Sequence, residues 1–95
     1  MIKKLKVHIE IRFAKGVKKH TIEFVVDNLT LYEVLESMSK TEWGHDLFVL
    51  KDGELSLVSG YLMVLEKRMV QLWESKNVVL QDDQHLKFVQ VVAGG

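Results

Sequence analysis

The sequence predicts an α+β fold: a mixed β-sheet with one main helix packed across one face. Three observations carry this. Two early runs alternate apolar and polar residues and are joined by a short glycine-containing loop. A single amphipathic stretch follows, with a legible helix start. The remainder breaks into short apolar runs separated by polar turns, with no second helical stripe. The element order is β-β-α-β-β-β, and residues 47–58 leave room for an extra hairpin after the helix.

Residues 4–13 set the first strand. Leu5, Val7, Ile9, Ile11 and Phe13 fall on one face, and Lys4, Lys6, His8, Glu10 and Arg12 on the other. Period two means one buried and one wet face. Gly16 marks a turn, and residues 20–26 alternate again through Ile22, Phe24 and Val26. Two such runs across a short loop read as a β-hairpin. Asp27-Asn28 ends the pattern. Thr30 and Glu33 then have capping-box spacing, and Leu29 and Val34 occupy the positions of a hydrophobic staple. Leu31, Val34, Leu35 and Met38 follow i, i+3, i+4, i+7, so the helix over 31–40 has one apolar stripe. Such a stripe must lie on a sheet to be buried.

After the helix, residues 47–51 are short and apolar, Asp52-Gly53 is a hairpin turn signal, and residues 54–58 form a return strand. Residues 61–65 read as a strand, Glu66-Lys67-Arg68 as a turn, and residues 69–73 as a short partner strand. Residues 74–77 read as a loop, Gln81-Asp82-Asp83-Gln84 as a polar turn, and residues 85–92 as the last strand.

Composition excludes several functional classes. The 95 residues are expected to form a single domain, 1–95, with a flexible tail expected over 91–95. A chain of this size buries only about 60–65% of the surface that its unfolded form exposes, so its core must be efficient. Net charge is zero, with no overall basic bias to steer the chain towards nucleic acid, so no direct nucleic-acid partner is expected. The absence of cysteine excludes disulfides, a thiolate nucleophile and a cysteine zinc site, and fits a cytoplasmic protein. Lys6, His8 and Glu10 interrupt any signal-peptide core, and no stretch approaches the ~20 apolar residues of a membrane span.

Chemistry intrinsic to the chain is equally sparse. His8, His20, His45 and His85 are scattered, with no i, i+4 pair of the kind that holds a metal on a helix. Asp82 and Asp83 are adjacent, so their side chains diverge from a shared cation. The serines lack a nucleophile-elbow context, and no glycine-rich phosphate loop exists. Trp43 and Trp73 read as core or rim packing. No enzyme, no metal site and no cofactor bound by the chain itself are expected.

Two features do point outward. If Met63 and Leu65 face the helix, then Leu62 and Val64 face away, and on the last strand Lys87, Val89 and Val91 share that outer face. Several apolar side chains on a wet face mark a binding patch or a dimer contact. The second feature is Val91-Val92-Ala93-Gly94-Gly95. A Gly-Gly tip has no side chains to obstruct a narrow channel. Five extended residues reach roughly 16 Å.

With these residues in view, the chain resembles the β-grasp, ubiquitin-like sulfur carriers: the small subunit of molybdopterin synthase, the thiamine-pathway sulfur carrier and the ubiquitin-related modifier of tRNA thiolation. The segment Val79-Leu80-Gln81-Asp82-Asp83-Gln84-His85-Leu86-Lys87-Phe88 resembles the family's leucine, polar turn and final strand, and Val92-Ala93-Gly94-Gly95 is similar to the tail of molybdopterin synthase small subunits. Leu47-Phe48, Asp52-Gly53-Glu54-Leu55 and Gly60-Tyr61-Leu62-Met63-Val64-Leu65 resemble the ubiquitin-related modifier branch. The chain departs from the family at Glu66-Lys67, where Asn-Gly is common, at Asp83-Gln84, where Gly-Asp is common, and at Gln90-Val91, where many molybdopterin subunits carry two prolines.

The resemblance implies a carrier or protein modifier. A ubiquitin-activating-like adenylyltransferase using ATP and magnesium would adenylate Gly95, and a sulfur donor would convert it to a thiocarboxylate. Gly94 would thread the channel, and Leu62, Val64, Lys87, Val89, Val91, Val92 and Ala93 would meet the partner. The recipient would be a large synthase subunit in molybdenum cofactor biosynthesis or a tRNA-thiolation enzyme. The competing readings are an interaction module whose tail is never activated and a permanent non-catalytic subunit.

Overall fold

The computed structural model describes residues 2–91. Its strands are β1 (Lys3–Phe13), β2 (Gly16–Val26), β3 (Phe48–Lys51), β4 (Glu54–Leu57), β5 (Tyr61–Leu65), β6 (Arg68–Val70) and β7 (Gln84–Gln90), with helix α1 (Leu31–Ser39) between β2 and β3. Short 3₁₀ helices span His45–Leu47 and Leu72–Asn77. Five strands form a mixed sheet in the order β2-β1-β7-β5-β6. β1 and β7 run parallel at its centre, and the other pairs are antiparallel. The extra hairpin after the helix is present: β3 and β4 form a separate two-stranded sheet.

The alternation of β1 acts as expected. Leu5, Val7, Ile9 and Ile11 are buried and join Met63, Leu65, Leu86 and Phe88 in one core, with Ile22 and Phe24 half-buried against it. Leu31, Val34, Leu35 and Met38 of α1 are fully buried in the same core. Phe48 brings the separate hairpin into it, meeting Phe88 edge to face with ring centroids 6.1 Å apart.

The helix start forms as the spacing dictates. The Glu33 amide donates to Thr30 Oγ1 at 3.3 Å, and the Thr30 amide donates to Glu33 Oε1 at 3.3 Å. Leu29 and Val34, the staple pair, are fully buried. The start is also tied to the segment before β7: the Leu31 amide donates to the Val78 carbonyl and the Leu80 amide to the Leu29 carbonyl, both at 2.8 Å. At the other end, Thr41 Oγ1 donates to the Met38 carbonyl at 2.7 Å and accepts from the Gly44 amide at 2.9 Å. A Cβ on Gly44 would lie 2.6 Å from that carbonyl oxygen, so only glycine fits there without a shift. Beyond this stop, Trp43 stacks on His20 of β2 with centroids 4.0 Å apart.

Several boundaries differ from expectation: β2 begins at Gly16 rather than at residue 20, because its pairing with β1 continues to Phe13, and Arg68, expected in a turn, opens β6. The partner strand expected over 69–73 ends at Val70, and the segment expected as a loop over 74–77 lies in the 3₁₀ helix Leu72–Asn77. The cause is local capping: the Gln71 amide donates to Glu74 Oε2 at 3.2 Å, and buried Ser75 donates through Oγ to the Leu72 carbonyl at 2.6 Å. Trp73 is consequently exposed rather than packed in a core or rim. The last strand covers Gln84–Gln90, shorter at its end than the expected 85–92. The Asp52-Gly53 turn has positive φ at both residues, 52° and 80°, as a tight hairpin turn demands.

Candidate functional site

The outer face of the five-stranded sheet carries Leu62, Val64, Lys87 and Val89 of the sequence-predicted contact residues, and the strand register brings these four together. Leu62 on β5 lies opposite Val89 on β7, and Val64 lies opposite Lys87 on one side and Met69 of β6 on the other. Leu62, Met69 and Val91 are 40%, 53% and 49% exposed, while Val64, Lys87 and Val89 are half-buried. The result is a continuous apolar cluster with one cation, Lys87, inside it.

Across β7 the face becomes polar. Glu10 pairs with Lys87 and Arg12 with Val89 in the β1–β7 register, and Lys19 and Val17 of β2 lie beyond them. Arg12 donates to Glu10, and Lys19 Nζ lies 4.0 Å from the same carboxylate. The hydrogen bond from Arg12 holds the Glu10 carboxyl below the ordinary carboxylate range; partial burial opposes this, and the charges of Arg12, Lys87 and Lys19 reinforce it.

Towards the start of β7, His8 and His85 stack with centroids 4.7 Å apart. His8 Nδ1 meets Thr21 Oγ1 and its Nε2 meets Asp83 Oδ1, each at 3.1 Å. Asp82 instead accepts from the Lys6 amide at 2.7 Å, so the two aspartates do diverge. His8, Thr21 and His85 rim a hollow of 510 Å³ with Lys19, Glu66 and Lys87. Among the described residues no three His, Asp or Glu side chains converge in a way that could hold a metal ion.

Glu66 explains one departure from the resembled family. It sits at φ 57°, the left-handed region that Asn or Gly adopts most easily. Two cross-strand bonds hold it there: its amide donates to the His85 carbonyl at 2.8 Å, and its Oε2 accepts from the His85 amide at 2.7 Å.

The chain leaves the sheet at the edge of the apolar cluster. The Val91 amide donates to the Gly60 carbonyl at 2.7 Å, and Gln90 Oε1 accepts from the Ala14 amide at 2.9 Å. Val92, Ala93, Gly94 and Gly95 lie outside the described residues. Met69 and Arg12 were missed from sequence. Met69 was recoverable, because a two-residue turn at Glu66-Lys67 sets Val64 opposite residue 69. Arg12 was not, since its place beside Val89 depends on the parallel pairing of β1 with β7.

No family model matches the chain, and no curated protein matches it. Among solved structures, the small archaeal modifier protein 1 of Methanosarcina acetivorans superposes with a TM-score of 0.63 at 14% identity, covering 98% of this chain and 99% of that one. The mixed sheet, the single helix laid across it and this full-length superposition give the chain the β-grasp, ubiquitin-like fold that a small archaeal modifier protein has.

Proposed function

We propose that this chain is a ubiquitin-like carrier or modifier, activated at Gly95 by an adenylating partner that docks on the outer sheet face. The observation that carries the reading is the apolar cluster of exposed Leu62 and Met69 with half-buried Val64 and Val89, beside which β7 ends, ahead of Gly94-Gly95 in the sequence. Exposed apolar side chains in contact with one another favour a partner surface over water. Lys87, Val91, Val92 and Ala93 would extend that contact along the path to the tip.

The chemistry belongs to the partner, which would bring ATP and magnesium. A Gly95 carboxylate oxygen attacks the α-phosphorus, and the bond to pyrophosphate breaks. The acyl-adenylate then accepts sulfide-level sulfur at its carbonyl carbon, and AMP leaves, giving a thiocarboxylate. Molybdopterin synthesis and tRNA thiolation are the recipient chemistries that this reading favours. Gly94 offers no side chain to the channel.

The experiment is ATP–pyrophosphate exchange with the cognate adenylyltransferase. Deleting Gly94 and Gly95 should abolish exchange and leave thermal stability unchanged, since terminal residues make few buried contacts. Gly95→Ala should keep part of it, and Gly94→Trp almost none. Exchange that survives the deletion would sink the carrier reading in favour of an interaction module using the sheet face alone.

A further inference from the structure

The zero net charge conceals a separation. Residues 1–26 hold seven Lys and Arg against two Glu, whereas residues 27–86 hold five against eleven Asp and Glu. The basic part is the β1–β2 hairpin, and its turn is the most basic portion: Arg12, Lys15, Lys18 and Lys19 lie within eight residues of one another. All four are exposed. Among the described residues, the carboxylate that these cations engage is Glu10, held by Arg12 and Lys19. Lys15 and Lys18 make no ion pair among the described residues, and Lys18 lies over the Phe13 ring at 5.8 Å.

This turn is also where the tail departs. β1 and β7 are parallel, so both finish at the same end of the sheet, and the bond from the Ala14 amide to Gln90 Oε1 holds the turn beside the last residues of β7. We infer that the β1–β2 turn is a docking arm for an acidic protein surface, located on the partner that receives the tail. This inference rests on the carrier reading above.

The surroundings select protein over nucleic acid. Arg12 sits between two aliphatic side chains, Val89 and the exposed Val17, and Leu62 lies beyond Val89. Bases interleaved with aliphatic groups match acidic residues flanking an apolar contact. Glu23 lies on the same sheet face and would repel a phosphate backbone. Cations placed at the rim of a contact mainly speed association and lose their effect as salt screens them.

The test is Lys15→Glu combined with Lys18→Glu, two exposed positions whose change should leave the fold intact, as NMR would check. In exchange assays at low ionic strength, the variant should show a KM raised on the order of tenfold with kcat unchanged, the difference shrinking as salt is added. Wild-type amide shifts on adding a synthetic octapeptide of alternating Glu and Leu should map to residues 12–19 and to Val89. An unchanged KM, with the Gly94–Gly95 deletion still abolishing exchange, overturns the docking arm and leaves the carrier reading standing. Tighter binding of decauridylate than of the peptide also overturns it. A wild type inert towards the adenylyltransferase removes the carrier reading and this assignment of partner with it.

Discussion

The two faces of the five-stranded sheet are built from the same strands, one residue out of step. On the inner face Val7, Ile9, Met63, Leu86 and Phe88 are almost wholly removed from water beneath α1. On the outer face their immediate neighbours, His8, Glu10, Leu62, Val64, Lys87 and Val89, stay partly wet: Leu62, opposite Val89, is exposed, whereas Met63, opposite Phe88, is buried. Alternation thus places the core and the proposed contact face on adjacent residues. A substitution at one position of β7 should move folding, and at the next should move binding.

The largest effect expected is Phe88→Ala, which removes a ring packed against Phe48 and should cost about 3–5 kcal/mol in denaturant unfolding. A comparable loss from Val89→Ala would erase the distinction between the faces. Next, Val64→Asp with Val89→Asp should preserve cooperative unfolding yet weaken binding to the adenylating partner at least about tenfold, because carboxylates would be stranded in an apolar contact. Calorimetry showing wild-type affinity would make the outer face irrelevant to activation. Thr30→Ala should then cost about 1 kcal/mol by breaking the capping box.

The smallest effect is a pH dependence. Glu10 is held below the ordinary carboxylate range in the folded state, chiefly by its hydrogen bond to Arg12. A depressed pKa adds stability above the unfolded value, and that increment is lost as pH falls through the folded one. Glu10→Gln should therefore narrow the loss of stability on the acid side of the carboxylate range. Identical acid-unfolding curves for the two proteins would show that the outer-face ion pair is energetically silent.

Much of this was legible because its causes are local. The capping box, the staple, the Asp52-Gly53 turn and the alternation of β1 each depend on residues within a few positions of one another. The 3₁₀ helix Leu72–Asn77 was hidden, because Gln71 and Glu74 do not advertise a cap as Thr30 and Glu33 do. The outer apolar residues were readable from parity alone, but their charged border was not. That border exists only where β1 and β7 meet, and a neutral total gave no sign that positive charge collects on one hairpin. The tail residues proposed for activation were legible as composition, and their placement lies outside the described residues.

The parallel pairing of β1 with β7 has a consequence for biosynthesis. The first strand made must wait for the last before the centre of the sheet can close. At ribosomal speeds that delay is on the order of ten seconds, during which the β1–β2 hairpin has no neighbour on its inner edge. A chain interrupted before β7 cannot align Val64, Val89 and Arg12 on one surface, whatever else it folds. A partner that recognised that surface would therefore meet it only on polypeptides synthesised through β7.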